Sequence, residues 1–113
     1  MSAVPAAPAA LGAQHDVPNG SDPARATLAT VPRVGAGFRL QWEPAQAAHV
    51  LLYPEGLVKL NGSAGEILSR CDGHRSVADI VAQLEQALNA SGLAGDVLAF
   101  LDMARAQRWA SWG

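Results

Sequence analysis

From Gly37 onward the chain alternates, with Phe38, Leu40 and Trp42 on one side and Arg39, Gln41 and Glu43 on the other. A period of two predicts a half-buried strand. A second run, His49-Val50-Leu51-Leu52-Tyr53, leads into Pro54-Glu55-Gly56. Proline presets φ at the first turn position and glycine accepts a positive φ at the last, so the pair predicts a hairpin. Leu57-Val58-Lys59-Leu60 then makes a short third strand, ended by the turn residues Asn61-Gly62, and three strands in succession predict a meander.

Beyond Gly62 the period becomes helical. Ser63 and Glu66 stand in capping-box spacing, and Ile67, Leu68 and Cys71 form an apolar stripe that Asp72-Gly73 stops. Ser76 and Asp79 repeat the capping arrangement ahead of Val77, Ile80, Val81, Leu84 and Leu88, which recur at helical spacing. After the breaker Asn89-Ala90-Ser91-Gly92, residues Leu93, Val97, Phe100, Leu101 and Ala104 predict a third helix to about Gln107, and Trp109 and Trp112 close the chain. A sheet of three short strands cannot bury its apolar face alone. The helices are therefore expected to cover one side of it, making an α+β domain with a short three-stranded antiparallel sheet followed by three helices.

Composition divides the chain near Pro32. Residues 1–32 contain no aromatic residue, five of the seven prolines and nine alanines. So little apolar surface cannot offset ordering entropy, and a disordered Ala/Pro-rich tail is expected there, with one folded domain over 33–113. The tail lacks the basic start and continuous apolar stretch of a secretion signal, and no later run approaches membrane-spanning length. A single cysteine, Cys71, cannot form an internal disulfide, which favours a reducing compartment, with the cytoplasm as the expected location. Within 33–113, eight acidic residues face seven basic ones, so no basic footprint for nucleic acid is present.

The sequence holds little that could do chemistry. Cys71 and His74 are a lone pair of potential metal ligands, with His15 and His49 as distant extras, and closed zinc sites need four. The same pair lacks a third group to orient it as a nucleophile and base. Gly56, Gly62, Gly65 and Gly73 match neither the Walker nor the dinucleotide spacing and suit turns and helix ends. No metal, no cofactor and no catalytic residue are expected. What remains is a short third strand at a sheet edge, an aggregation hazard unless it is used or blunted. Lys59 is either the protective charge or a neighbour of a guest peptide that adds as a strand.

Gly37-Phe38-Arg39-Leu40-Gln41-Trp42-Glu43, His49-Val50-Leu51-Leu52-Tyr53-Pro54-Glu55-Gly56 and Lys59-Leu60-Asn61-Gly62-Ser63-Ala64-Gly65-Glu66-Ile67-Leu68 resemble the pyrroloquinoline quinone biosynthesis protein D family. The likeness runs on through Cys71-Asp72-Gly73, Val77 to Val81, Asp96-Val97 and Phe100-Leu101, and so covers roughly residues 33–113. It implies a winged-helix-like recognition domain for ribosomally made precursor peptides. Such a domain holds the peptide PqqA for a radical S-adenosylmethionine enzyme, PqqE, and leaves the chemistry to that partner. It also implies a guest lying along the third strand and against the third helix, here Leu57, Val58, Lys59 and Leu60 with Val97, Phe100, Leu101, Ala104 and Arg105. Self-pairing of the open edge would give a homodimer.

Two other functions compete. Winged-helix likeness suggests DNA binding, but Arg75 precedes the second helix while Asp79 and Glu85 lie within it, where phosphates would repel them. A purely structural subunit of the modifying enzyme would bind that enzyme equally well with or without peptide.

Overall fold

A computed structural model describes residues 25–112. The sheet is the expected meander, built from β2 (Arg39–Glu43), β3 (Ala48–Tyr53) and β4 (Gly56–Lys59) in spatial order β2-β3-β4, so β2 and β4 are both edges. A separate two-stranded ribbon pairs β1 (Arg33–Val34) with β5 (Ala110–Ser111), joining the two ends of the domain. Neither of its strands shows a pattern long enough to be legible in the sequence. Three helices follow the sheet: α1 (Gly62–Leu68), α2 (Val77–Leu88) and α3 (Ala94–Ala106).

Register fixes the faces. Leu40, Leu51 and Val58 are cross-strand partners, and Leu51 is fully buried. Side chains alternate along a strand, so this face meets the helices, whose Ile67, Leu68, Val77, Ile80, Val97, Phe100 and Leu101 share one core with Leu51 and Leu60. α1 approaches β3 closely at Gly65, where an added Cβ would come within 2.7 Å of His49 Nδ1.

Helix starts differ in chemistry. α2 carries the expected capping box, with Ser76 Oγ accepting from Asp79 N–H at 3.1 Å and Asp79 Oδ2 accepting from Ser76 N–H at 3.3 Å. At α1 the expected Ser63 cap is not used. Asn61 Oδ1 accepts from Ala64 N–H at 2.8 Å, which moves the start forward and leaves Ser63 inside the first turn. α1 ends at Leu68, so Cys71 is buried just beyond the helix and donates its Sγ hydrogen to Ile67 O at 3.3 Å. Leu88, expected in the α2 stripe, is half exposed because it is the last residue of the helix. Trp42 is likewise on the expected side of β2 but 51 % exposed, resting edge-on against His49 with ring centroids 5.0 Å apart.

The boundary expected at Pro32 falls inside packed chain. Ala26 and Pro32 are buried, and residues 26–32 form a strap across the first turn of α2. Four N–H groups at a helix start have no partner within the helix. The Thr30 carbonyl accepts from Val77 N–H at 2.8 Å and the Leu28 carbonyl from Ala78 N–H at 3.0 Å, while the capping box serves Ser76 and Asp79. Pro32 O accepts from Gly73 N–H at 3.0 Å, and Ala26 N–H donates to Asp102 Oδ1 of α3 at 2.8 Å. The strap works through backbone carbonyls, which poor hydrophobicity does not forbid. The remainder of the expected tail, with His15, lies outside the described residues.

Candidate functional site: an open strand edge

Leu60 N–H donates to His49 O at 3.0 Å, just past the end of β4. In an antiparallel ladder bonded and non-bonded pairs alternate, so the bonded partners are Leu60 with His49, Val58 with Leu51 and Gly56 with Tyr53. Leu57 and Lys59, opposite Leu52 and Val50, therefore aim their N–H and C=O groups away from the sheet. Among the described residues nothing else bonds to those backbone groups. An extended chain could pair with this edge without breaking a bond among the described residues.

Side chains on β4 divide the same way. Val58 packs against the core and Leu60 is buried, whereas Leu57 is 56 % exposed and Lys59 is exposed. Of the α3 residues expected to touch a guest, Val97, Phe100, Leu101 and Ala104 are at most 2 % exposed and belong to the core. The i, i+3, i+4 spacing that drew attention to them marks the face a helix buries, not the one it offers to a ligand. Arg105 is exposed, with its guanidinium carbon 5.8 Å from the centre of the Trp112 ring. The large apolar α3 side chains that keep some exposure are Leu98 and Met103, both half-buried against the core and both off the expected stripe. Leu57, Lys59 and Arg105 are thus the expected contacts that lie at the surface.

Cys71 is unsuited to chemistry. Burial, with a smaller contribution from the Asp72 charge, pushes its thiol from 9.0 up to about 12, so it stays protonated at neutral pH. The exposed Asp72 carboxyl is held low chiefly by accepting from the His74 backbone N–H at 2.8 Å. Its second role is to shape the turn before α2, where it also accepts from Arg75 N–H at 3.1 Å. Among the described residues no three His, Cys, Asp or Glu side chains gather as metal ligands. No helix among them is long and apolar enough to cross a membrane.

Residues 48–110 match the family model of Coenzyme PQQ synthesis protein D (PqqD). The chain belongs to the PqqD family. A relative from Azotobacter vinelandii, called PqqA binding protein, is 56% identical over 84 residues, which is 74% of this chain and 91% of the relative. A protein of the same name from Pseudomonas aeruginosa is 57% identical over 84 residues with the same coverage. The solution structure of the PqqD truncation of Methylobacterium extorquens PqqCD superposes with a TM-score of 0.66 at 29% identity, over 80% of this chain and 98% of that one. That PqqD domain is described as a functional, stand-alone recognition element for ribosomally synthesized and post-translationally modified peptides. Its fold is the α+β arrangement described above.

Proposed function

We propose that this chain is a binding protein, not an enzyme, which holds the precursor peptide PqqA as an added strand on β4 and presents it to PqqE. The observation that carries the binding mode is the pair Leu57 and Lys59, whose backbone groups face outward beside β4 with no partner among the described residues. Support for the ligand comes from the PqqA binding proteins of A. vinelandii and P. aeruginosa, more than half identical to this chain. Backbone bonds supply affinity in such a mode, and alternate side chains supply selectivity. Every second guest side chain would fall on the helix-bearing face of the sheet. Presentation to PqqE rests on the family resemblance. The proposed setting is the cytoplasm, where the lone Cys71 stays reduced.

Calorimetric titration of PqqA peptide into Lys59→Pro tests the mode. Proline removes one outward N–H, and a net hydrogen bond is worth about 1 kcal/mol, so affinity falls roughly fivefold while Tm barely moves. Unchanged affinity in a folded Lys59→Pro protein would overturn strand addition at β4.

A further inference from the structure

β3 breaks the alternation that a sheet with one solvated face should show. Leu51 points into the core, and its neighbours Val50 and Leu52, which point the opposite way, are apolar as well. Register sets Leu52 between Arg39 of β2 and Leu57 of β4, and Val50 between Gln41 and Lys59. The backbone of Leu52 bonds to Arg39, which leaves Leu40 and Trp42 as the residues of β2 whose amides point outward. On this outer face Leu57 is exposed, Leu52 is half-buried, and Val50 is buried although it lies outside the core that the helices share. The long side chains of Gln41 and Lys59 on either side account for the cover over Val50. They do not account for Leu52 and Leu57, which stand side by side with surface to spare. Two cations flank this stripe, Arg39 beside Leu52 and Lys59 beside Val50, and neither makes an ion pair with another described residue. Glu43 lies at the far end of the face, opposite Ala48, and already accepts from Gln41 Nε2 at 2.8 Å.

We propose that the outer face of the sheet is the docking surface for the enzyme that receives the guest, a partner that sets an apolar group on Leu52 and Leu57 and carboxylates beside Arg39 and Lys59. The proposal rests on the reading that the guest adds to β4 and is passed to PqqE. A strand beside β4 sends every second side chain to this same face, next to Leu57 and Lys59, so the guest itself widens the surface. A partner seated there touches both chains at once and binds the loaded protein more tightly than the empty one. Linkage then requires that the partner tighten the hold on the guest by the same factor. Charge sets the approach and the apolar stripe sets the strength, because exposed cations mainly steer association while desolvated apolar contacts carry most of the binding energy.

Biolayer interferometry of purified PqqE on the full chain, with and without saturating PqqA peptide, tests the surface in the parent, Leu52→Gln and Arg39→Glu. The parent is expected to bind PqqE at least about fivefold more tightly when loaded. Leu52→Gln should weaken the loaded complex roughly tenfold, and Arg39→Glu roughly fivefold with a flatter salt dependence. Neither substitution alters an outward amide of β4, so both should keep the parent's PqqA affinity in calorimetry. Circular dichroism melts identify which variants fold, and Arg39→Glu, at an exposed position, serves if Leu52→Gln does not. A parent that binds PqqA but never PqqE would overturn the handover to PqqE and this surface with it. A parent that binds PqqE no better than its folded variants do would overturn the surface alone. PqqE affinity that ignores PqqA, or variants that lose PqqA affinity instead, would overturn it as well. So would variants that change only the sedimentation of the chain by itself, which would give the face to a second copy.

Discussion

On β4 the outward backbone groups belong to Leu57 and Lys59, in a four-residue strand whose only charge is positive. On β2 they belong to Leu40 and Trp42, in a five-residue strand that carries Arg39 at one end and Glu43 at the other. Both edges offer the same backbone chemistry but carry different side chains: β4 has one lysine, whereas β2 sets Arg39, Gln41 and Glu43 on the face away from the helices. Charged side chains along an edge are one means by which a sheet is kept from pairing with itself. The start of α2 is the opposite case: capping box and strap give each first-turn amide a partner, so no binding capacity remains there.

The largest effect should come from breaking the inward half of the β4 ladder. Val58→Pro removes the bond to Leu51 and forces a ring against the core, costing about 3 kcal/mol, enough to lower Tm by 10 °C or more. If thermal melts show Val58→Pro and Lys59→Pro equally stable, the inward and outward assignments on β4 are wrong. Next in size is removal of the strap. Compared with a chain that starts at Arg25, one that starts at Arg33 loses the Thr30 and Leu28 carbonyls, the Ala26–Asp102 bond and buried Pro32. A loss of about 2–3 kcal/mol is expected, or roughly 10–20 °C in Tm. PqqA affinity should not change once the shorter chain is compared at a temperature where it is folded. Equal melting of the two chains would remove the strap from the account.

A smaller and sharper effect crosses the two edges. Trp42→Pro deletes an outward amide on β2 and Lys59→Pro one on β4. The first is expected to leave PqqA affinity unchanged and the second to lower it roughly fivefold. Titration calorimetry on both proteins would break the comparison if Trp42→Pro weakened PqqA binding as much as Lys59→Pro. A last prediction is a control away from both edges. The Cys71 thiol holds its proton to about 12 in the folded chain but gives it up near 9.0 once unfolded. Between those values the unfolded state binds fewer protons, so stability falls as pH rises, by at most about 1.4 kcal/mol per pH unit. Melts of Cys71→Ala from pH 8 to 11 should show a shallower decline than the parent, and parallel curves would contradict the burial of the thiol.

Periodicity made the meander, the three helices and the capping box at Ser76 legible in the sequence, because each is a local pattern of apolar residues and caps. The strap was not, because carbonyls that cap a distant helix leave no mark on side-chain composition: Leu28 and Thr30 act through the backbone. The β1–β5 ribbon escaped for a related reason, since two-residue strands have no period. It depends on Gly35, where a Cβ would come within 2.0 Å of the Arg108 carbonyl oxygen. For the proposed site, four of the five α3 residues expected to meet a guest prove to be core. Helical spacing picks out Val97, Phe100, Leu101 and Ala104 because that is the face a helix buries.

The most direct measurement is amide hydrogen exchange of the full chain, followed residue by residue with and without saturating PqqA peptide. Strand addition at β4 predicts that the Leu57 and Lys59 amides, unprotected in the free protein, become strongly protected, while Val58 and Leu60, already bonded to β3, change little. If Leu57 and Lys59 continue to exchange freely with the peptide bound, the guest does not pair with β4.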